Sequence, residues 1–288
     1  MWTFSFTKVS RRISPSRVLG RLPGRITWMA KTEPGHAGIR LLKRVTSPLT
    51  WWRALLRQRC LNLGAGAWFE PGWETVDYCA PEAYVDHRIR FRAKKKLPLP
   101  KACARLIFSS HVLEHFPDDL CLAILQECYR ILSPSGVLRI SVPDLAKALQ
   151  AYRRGNESFF NPENGVPCTG ESLEAKLLSF FASFRKPNYC GIAGYAGGPI
   201  ISKLEVQQKF RSLCSYDFVR WCVSLIPDDC EHRSHVNGYD FPKMKGLLEQ
   251  AGFKYIVHSG YKRSCIPELQ QDAFDNRPRV SLFVEAVK

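Results

Sequence analysis

The chemistry most legible in this chain lies in Leu61-Asn62-Leu63-Gly64-Ala65-Gly66 and in Asp77, thirteen residues after Gly64. Glycines at the end of a strand let the backbone approach a ligand closely. A carboxylate at the tip of the next strand can accept both hydroxyls of a ribose. Together these residues describe a site for a nucleoside-containing cofactor. A nicotinamide dinucleotide fits poorly. Phe69 occupies the third glycine position, and the acid comes sooner than the roughly 20 residues usual for that class. Pro71 and Gly72 leave no room for a crossover helix with a phosphate-binding N-terminus. The spacing suits a nucleoside without a pyrophosphate.

From residue 59 onward, short apolar strands alternate with helical patterns, the signature of a mainly parallel sheet covered on both faces. Segments 60–64, 74–78 and 84–89 read as the first three strands, and 105–110 and 137–142 as the next two. Between the last two, Leu120, Ile124, Cys128, Ile131 and Leu132 recur at helical spacing after Pro117 and before Ser133-Pro134-Ser135-Gly136. After Asp144 the pattern loosens over Gly- and Pro-containing sequence, relieved by an apolar helical face at Leu173, Leu177, Phe180, Phe181 and Phe184. A structureless loop of that length is implausible in a compact domain, so the stretch reads as an inserted subdomain. A helix through Phe241, Met244, Leu247, Leu248 and Ala251, stopped by Gly252, and strands at 254–258 and 281–287 close the chain. The expected organisation is an extension over 1–58 and one α/β domain over 59–288. That domain is a doubly wound, seven-stranded, mainly parallel sheet with an insertion at about 145–238 after strand five.

The net charge of +16 is unevenly placed. Residues 1–59 hold thirteen Lys or Arg against the single acid Glu33, a balance of +12, while the remainder carries only +4. Interleaved Trp2, Phe4, Phe6, Trp28, Trp51 and Trp52 suggest a segment that lies on an anionic surface, membrane or nucleic acid. A solvated tail and an Arg-rich transit segment are the alternatives. Eleven cysteines without a C-x-x-C pair argue for reduced thiols in cytosol, against a disulfide framework or zinc ribbon. No apolar run approaches the roughly 20 residues that span a bilayer. The protein is expected to be cytoplasmic, or peripheral at a membrane surface.

Residues 59–144 resemble the class I S-adenosylmethionine-dependent methyltransferases. The likeness is to a bacterial subgroup with a Leu-Asn-Leu-Gly-Cys-Gly first motif followed by Pro-Gly-Trp, here Leu61 to Gly66 and Pro71-Gly72-Trp73. Ile107 to Phe116, Ile131-Leu132 with Gly136, Val142-Pro143-Asp144 and Ser281 to Ala286 resemble it as well. The resemblance implies S-adenosyl-L-methionine as cofactor, with Asn62, Gly64, Ala65 and Gly66 against its methionine part and Asp77 on the ribose. Ser110 and His111 would flank the sulfonium. Where the family places an acid or amide for the adenine amine, Arg90 stands here, leaving Asp86 as the substitute. An acid that often opens the fourth strand is replaced around Arg105.

Methyl transfer from a sulfonium is an in-line displacement, in which positioning is worth up to ~7–11 kcal/mol. A hydroxyl acceptor must also lose a proton, typically a contribution of ~10²–10⁴-fold, and histidine suits that role at neutral pH. His111, directly after the fourth strand, leads for position. Asp144, at the fifth strand's exit, is placed to accept a hydrogen bond from acceptor or histidine. His235 enters from the far end of the insertion, and His115 reads as capping or packing its helix. Asp228, Asp229, Cys230, Glu231, His232, His235 and Asp240 fit no zinc signature, so no metal centre is expected. The aromatic and glycine-rich insertion suits a small-molecule or saccharide hydroxyl as acceptor. RNA methylation through the basic extension and a non-catalytic cofactor-binding scaffold are the alternatives.

Overall fold

The computed structural model describes residues 36–92, 96–161, 172–182, 201–225, 235–275 and 277–288. Seven strands form one sheet: β1 (Arg59–Leu63), β2 (Glu74–Asp77), β3 (His87–Arg88), β4 (Ala104–Ser110), β5 (Leu132–Pro143), β6 (Tyr255–Ser259) and β7 (Ser281–Val287). Their order is β3-β2-β1-β4-β5-β7-β6. The first five run parallel, and β7 is antiparallel to both β5 and β6. The order reverses between β1 and β4, so the carboxyl ends of these strands flank the crevice where open α/β sheets bind ligands.

Two strands differ from the expectation. β3 is two residues long, because Glu82–Tyr84 form a 3-10 turn instead of extending it. β5 begins at Leu132, which pairs with Ala104 before the ladder resumes at Leu106 opposite Val137. The intervening Ser-Pro-Ser-Gly bulges out of register, with Ser135 in the left-handed region at φ 62°.

Helix α2 (Asp118–Ile131) follows β4, with Asp118 and Asp119 in its first turn, where the helix dipole favours negative charge. Its Cys121, Ile124, Leu125, Cys128 and Ile131 face the sheet through Leu61, Leu63, Ile107 and Ile140, together with Met244 and Leu248 of α7 (Phe241–Ala251). The opposite face of the sheet presents Cys60, Leu106, Phe108 and Val137 to Trp73, Leu269 and Phe274, so the C-terminal excursion before β7 covers it. Between β5 and α7 lie α3 (Leu145–Arg153), α4 (Leu173–Phe181), α5 (Lys203–Ser212) and α6 (Ser215–Ser224). Their buried side chains, among them Leu149, Leu177, Phe181, Val206 and Phe218, form a separate apolar cluster.

The described part of the N-terminal extension is a helix, α1 (His36–Leu55), and residues 1–35 lie outside the described residues. Ile39 and Leu42 pack with Ala83 and Tyr84. Lys43 pairs with Asp86 at 2.8 Å, and Arg53 reaches Glu268 at 3.0 Å. These contacts seat α1 beside the β1–β2 edge. Its Leu41, Val45, Trp51, Trp52 and Leu55 face outward.

Candidate functional site

The connection from β1 to β2 is a turn without a helix, as Pro71 and Gly72 dictate. Gly64 and Gly66 take φ values of +68° and +59°, a region that costs other residues roughly 1 kcal/mol or more. A Cβ on Gly64 would lie 2.3 Å from Cγ2 of Val112, whereas one on Gly66 meets nothing within 4 Å. The loop is therefore clamped at Gly64 and open at Gly66, the shape a close-lying ligand requires. Ala65 lies half-buried between them, and Asn62 is buried in β1 beneath the loop.

Asp77 ends β2 with its carboxylate drawn inward. Oδ2 accepts the Gly66 N–H at 2.8 Å, and Oδ1 accepts those of Cys79 and Ala80 at 2.7 and 2.8 Å. A carboxylate offers about four acceptor directions. Three are used, so Asp77 cannot take both ribose hydroxyls, as the sequence suggested, without releasing one amide. Asp86 is further from its expected role. It accepts from the Thr75 N–H (2.9 Å), the Thr75 hydroxyl (2.8 Å) and Lys43 (2.8 Å), tying β2 to α1. Arg90 is exposed and stacks on the Tyr78 ring at 5.5 Å. Arg105 pairs with Glu268 at the opposite end of β4, so its charge serves the fold.

At the exit of β4 the Ser141 hydroxyl donates to Ser110 Oγ at 2.7 Å, and the His111 N–H donates to Ser141 O at 2.8 Å. His111 sits at φ +53°, an uncommon conformation for a residue with a Cβ. It turns the ring inward. Nε2 lies 2.8 Å from Ser281 Oγ, and Nδ1 lies 3.2 Å from Glu114 Oε1. Glu114 is 1% exposed, and neither of its carboxylate oxygens has a hydrogen-bond partner among the described residues. Burial alone would raise its pKa, but the neighbouring histidines, His111 first and then His235 and His115, outweigh that and hold it below the usual carboxylate value.

His235 completes the group. The segment following the insertion docks on the turn after β4, where the Val236 N–H donates to Glu114 O at 2.8 Å. The Asn237 amide donates to Phe116 O and Asp118, and the Tyr239 hydroxyl donates to Leu113 O at 3.2 Å. This clamp carries His235 to Glu114, with Nε2 3.9 Å from Oε1, and to His115, with ring centroids 5.1 Å apart. Burial pushes the His235 pKa down to about 4, so the ring is neutral near pH 7. A cleft of about 380 Å³ borders this segment, lined by Asp118, Tyr216, Val236, Asn237 and Lys243.

Asp144 does not join the group. Its side chain caps α3 by accepting the Lys147 N–H at 3.1 Å, and Lys147 Nζ lies 3.3 Å from it. The partners of His111 are Glu114 and Ser281. Sequence reasoning gave Glu114 no role; the only signal was its place in His111-Val112-Leu113-Glu114-His115. His115, read there as a packing residue, stands close enough to Glu114 and His235 for the three to share one ion. Spacing had suggested no metal centre. Of the acidic cluster proposed and set aside there, residues 228–232 lie outside the described residues, and Asp240 caps α7 through the Lys243 N–H.

Residues 74–140, from β2 into β5, match a protein family described as a methyltransferase domain. No curated protein matches the chain. Among solved structures, an S-adenosylmethionine-dependent methyltransferase from Mesorhizobium loti is 15% identical over 80% of this chain and 90% of its own, with a TM-score of 0.36. One from Archaeoglobus fulgidus is 13% identical over 92% of this chain and 100% of its own, with a TM-score of 0.38. A possible exported protein from Bordetella parapertussis is 14% identical over 85% and 67% of the two chains, with a TM-score of 0.34. The family match gives residues 74–140 as a methyltransferase domain, and the strand order and the open glycine loop agree with it.

Proposed function

We propose that the protein methylates a hydroxyl of a small molecule or saccharide, with S-adenosylmethionine as donor. The observation that carries this reading is the Glu114–His111 pair beside the glycine loop. When bound, S-adenosylmethionine supplies an electrophilic methyl on a sulfonium; transfer to oxygen breaks the carbon–sulfur bond, forms the carbon–oxygen bond and leaves the hydroxyl proton for a base. His111 is the group for that proton. The Glu114 carboxylate behind Nδ1 favours the tautomer protonated there, which leaves the Nε2 lone pair to accept, the position now facing Ser281 Oγ. Gly64, Ala65 and Gly66 would lie against the cofactor's methionine part, with Ser110 near its sulfonium and Asp77, through its remaining acceptor direction, on one ribose hydroxyl. The polar and aromatic lining of the neighbouring cleft suits a polyhydroxyl acceptor.

Calorimetric titration with S-adenosylmethionine and S-adenosylhomocysteine tests the cofactor half of the proposal. Micromolar binding that Asp77→Ala abolishes is expected, and unchanged affinity in that variant would remove the assigned site. With an acceptor in hand, His111→Ala should retain cofactor binding and lose ~10²–10⁴-fold in kcat. Full turnover would exclude His111 as base.

For the extension, we propose peripheral contact with an anionic membrane surface. Leu41, Val45, Trp52, Leu55 and Leu56, each more than half exposed, form one stripe along α1 and its end, flanked by exposed Arg40 and Arg44. No described helix is long and apolar enough to cross a membrane. Co-sedimentation with phosphatidylserine vesicles should fall sharply in Trp52→Ser/Leu55→Ser. Equal binding by that variant would exclude the stripe, and salt-sensitive RNA binding would favour a nucleic acid instead.

A further inference from the structure

We propose that Glu114, His115 and His235 form a site for one divalent transition-metal ion, placed to receive an acceptor oxygen as a further ligand. One ligand atom from each side chain lies within 4.8 Å of the others. Ligands held tetrahedrally at about 2.1 Å stand roughly 3.4 Å apart, so side-chain adjustments of about an ångström close the group on an ion.

Three features separate this group from chance proximity. The first is the state of Glu114. Among the described residues its carboxylate, 1% exposed, has no hydrogen-bond partner on either oxygen, and its ion pairs are to histidines, not to Lys or Arg. A buried carboxylate met only by imidazoles is incompletely compensated, and a bound ion would supply the missing charge. The second is the orientation of His235. Its Nδ1–H donates to Phe180 O at 3.0 Å, which fixes the tautomer and leaves the Nε2 lone pair facing Glu114. Metal-binding histidines are held in the same way, by a carbonyl on the far ring nitrogen. The third is construction. The two ends of the site are far apart in sequence, and the Asn237 and Tyr239 hydrogen bonds lock the returning segment onto the turn that bears Glu114 and His115.

The donor set selects the metal. Two imidazoles and one carboxylate suit zinc, cobalt, manganese or iron(II) better than calcium or magnesium, which favour oxygen alone. Three protein ligands leave a coordination position open. Val112, two residues before Glu114, packs on Gly64, so the group lies close to the glycine loop. A hydroxyl bound to such an ion is more acidic than in water. The ion would thus hold and polarise the acceptor oxygen while His111 takes its proton. The ion site stands on its own geometry; its role in activating the acceptor rests on the methyltransferase reading.

The test uses the full chain, stripped with chelator and titrated with Mn²⁺, following loss of the free-ion electron paramagnetic resonance signal. Co²⁺ visible absorption serves as the second readout. Wild type should bind one ion per chain, and Glu114→Gln and His235→Gln should each bind at least tenfold more weakly. Circular dichroism checks folding, with His115→Gln replacing a variant that fails it. No binding by wild type, or equal binding by folded variants, overturns the site. Calorimetry on the metal-free proteins keeps the two proposals apart. Ion binding without S-adenosylmethionine binding supports the site and removes the methyltransferase reading; cofactor binding without ion binding overturns the site alone.

Discussion

Two of the places where the molecule buries charge are treated in opposite ways. Arg139, on β5, is fully enclosed, and every polar atom of its guanidinium is engaged. Nε donates to Asp275 at 2.9 Å, Nη1 to Glu285 at 2.8 Å and Ser259 at 3.2 Å, and Nη2 to Gly260 O at 2.9 Å and to Asp275. The two carboxylates are further met by the Lys262 and Cys265 N–H groups at 2.9 and 3.1 Å. At the exit of β4, Glu114 is as deeply buried, and among the described residues neither oxygen has a hydrogen-bond partner. Buried polar groups are almost always paired. A network completed by the chain itself serves architecture, here fastening the segment before β7 onto the sheet. A carboxylate that the described residues leave incomplete is, on the proposal above, kept for an ion.

The contrast is open to measurement. Arg139→Met strands two buried carboxylates and should lose about 3–5 kcal/mol of stability in urea unfolding, while cofactor affinity persists below the transition. A loss under about 1 kcal/mol would mean that the network is dispensable. Glu114→Gln should move in the other direction. Its stability should change by no more than about 1 kcal/mol, since an unsatisfied charge becomes a neutral amide of the same size, while kcat falls by ~10²–10⁴ as the histidine loses its orienting charge. If Glu114→Gln unfolds as readily as Arg139→Met, the two regions are alike and Glu114 is structural.

The same contrast marks how far the sequence could be read. The glycine loop, Asp77 and the β4–α2–β5 unit are legible because their signals are local: a turn needing positive φ, an acid at the next strand's end, an apolar helical period. Asp77 shows where such reading stops, since the amides of Gly66, Cys79 and Ala80 that occupy it carry no side-chain signature. Asp86, offered by the family resemblance, ties Thr75 to Lys43, and Asp144, offered by its place at a strand exit, caps a helix. Glu114 acquires meaning only when His235 arrives from across the insertion, through contacts of Asn237 and Tyr239 that no spacing rule contains. α1 was hidden because its sequence reads as a basic, aromatic extension, and only Ile39 and Leu42 are buried in it.

Glu70 tests whether a half-buried carboxyl with a displaced pKa always signals function. It lies in the β1–β2 connection, and burial raises its pKa to about 7, with the charge of Arg53 opposing. That cation is already shared with Glu268 and Gly72 O, so Glu70 receives little compensation and responds by staying protonated. The folded carboxyl is then a weaker acid than the unfolded one, whose value is near 4.5. Its favourable contribution is fully present below about pH 4.5 and is lost as pH rises towards 7, because the unfolded chain ionises first. Glu70→Gln should match wild type near pH 4.5 and exceed it near pH 8 by up to ~3 kcal/mol, read from denaturant midpoints across that range. A flat difference would mean that Glu70 is hydrated or paired in solution. The predicted rise would separate two solutions to one problem: Glu70 escapes burial by holding a proton, whereas Glu114, among histidines, keeps its charge and waits for a cation.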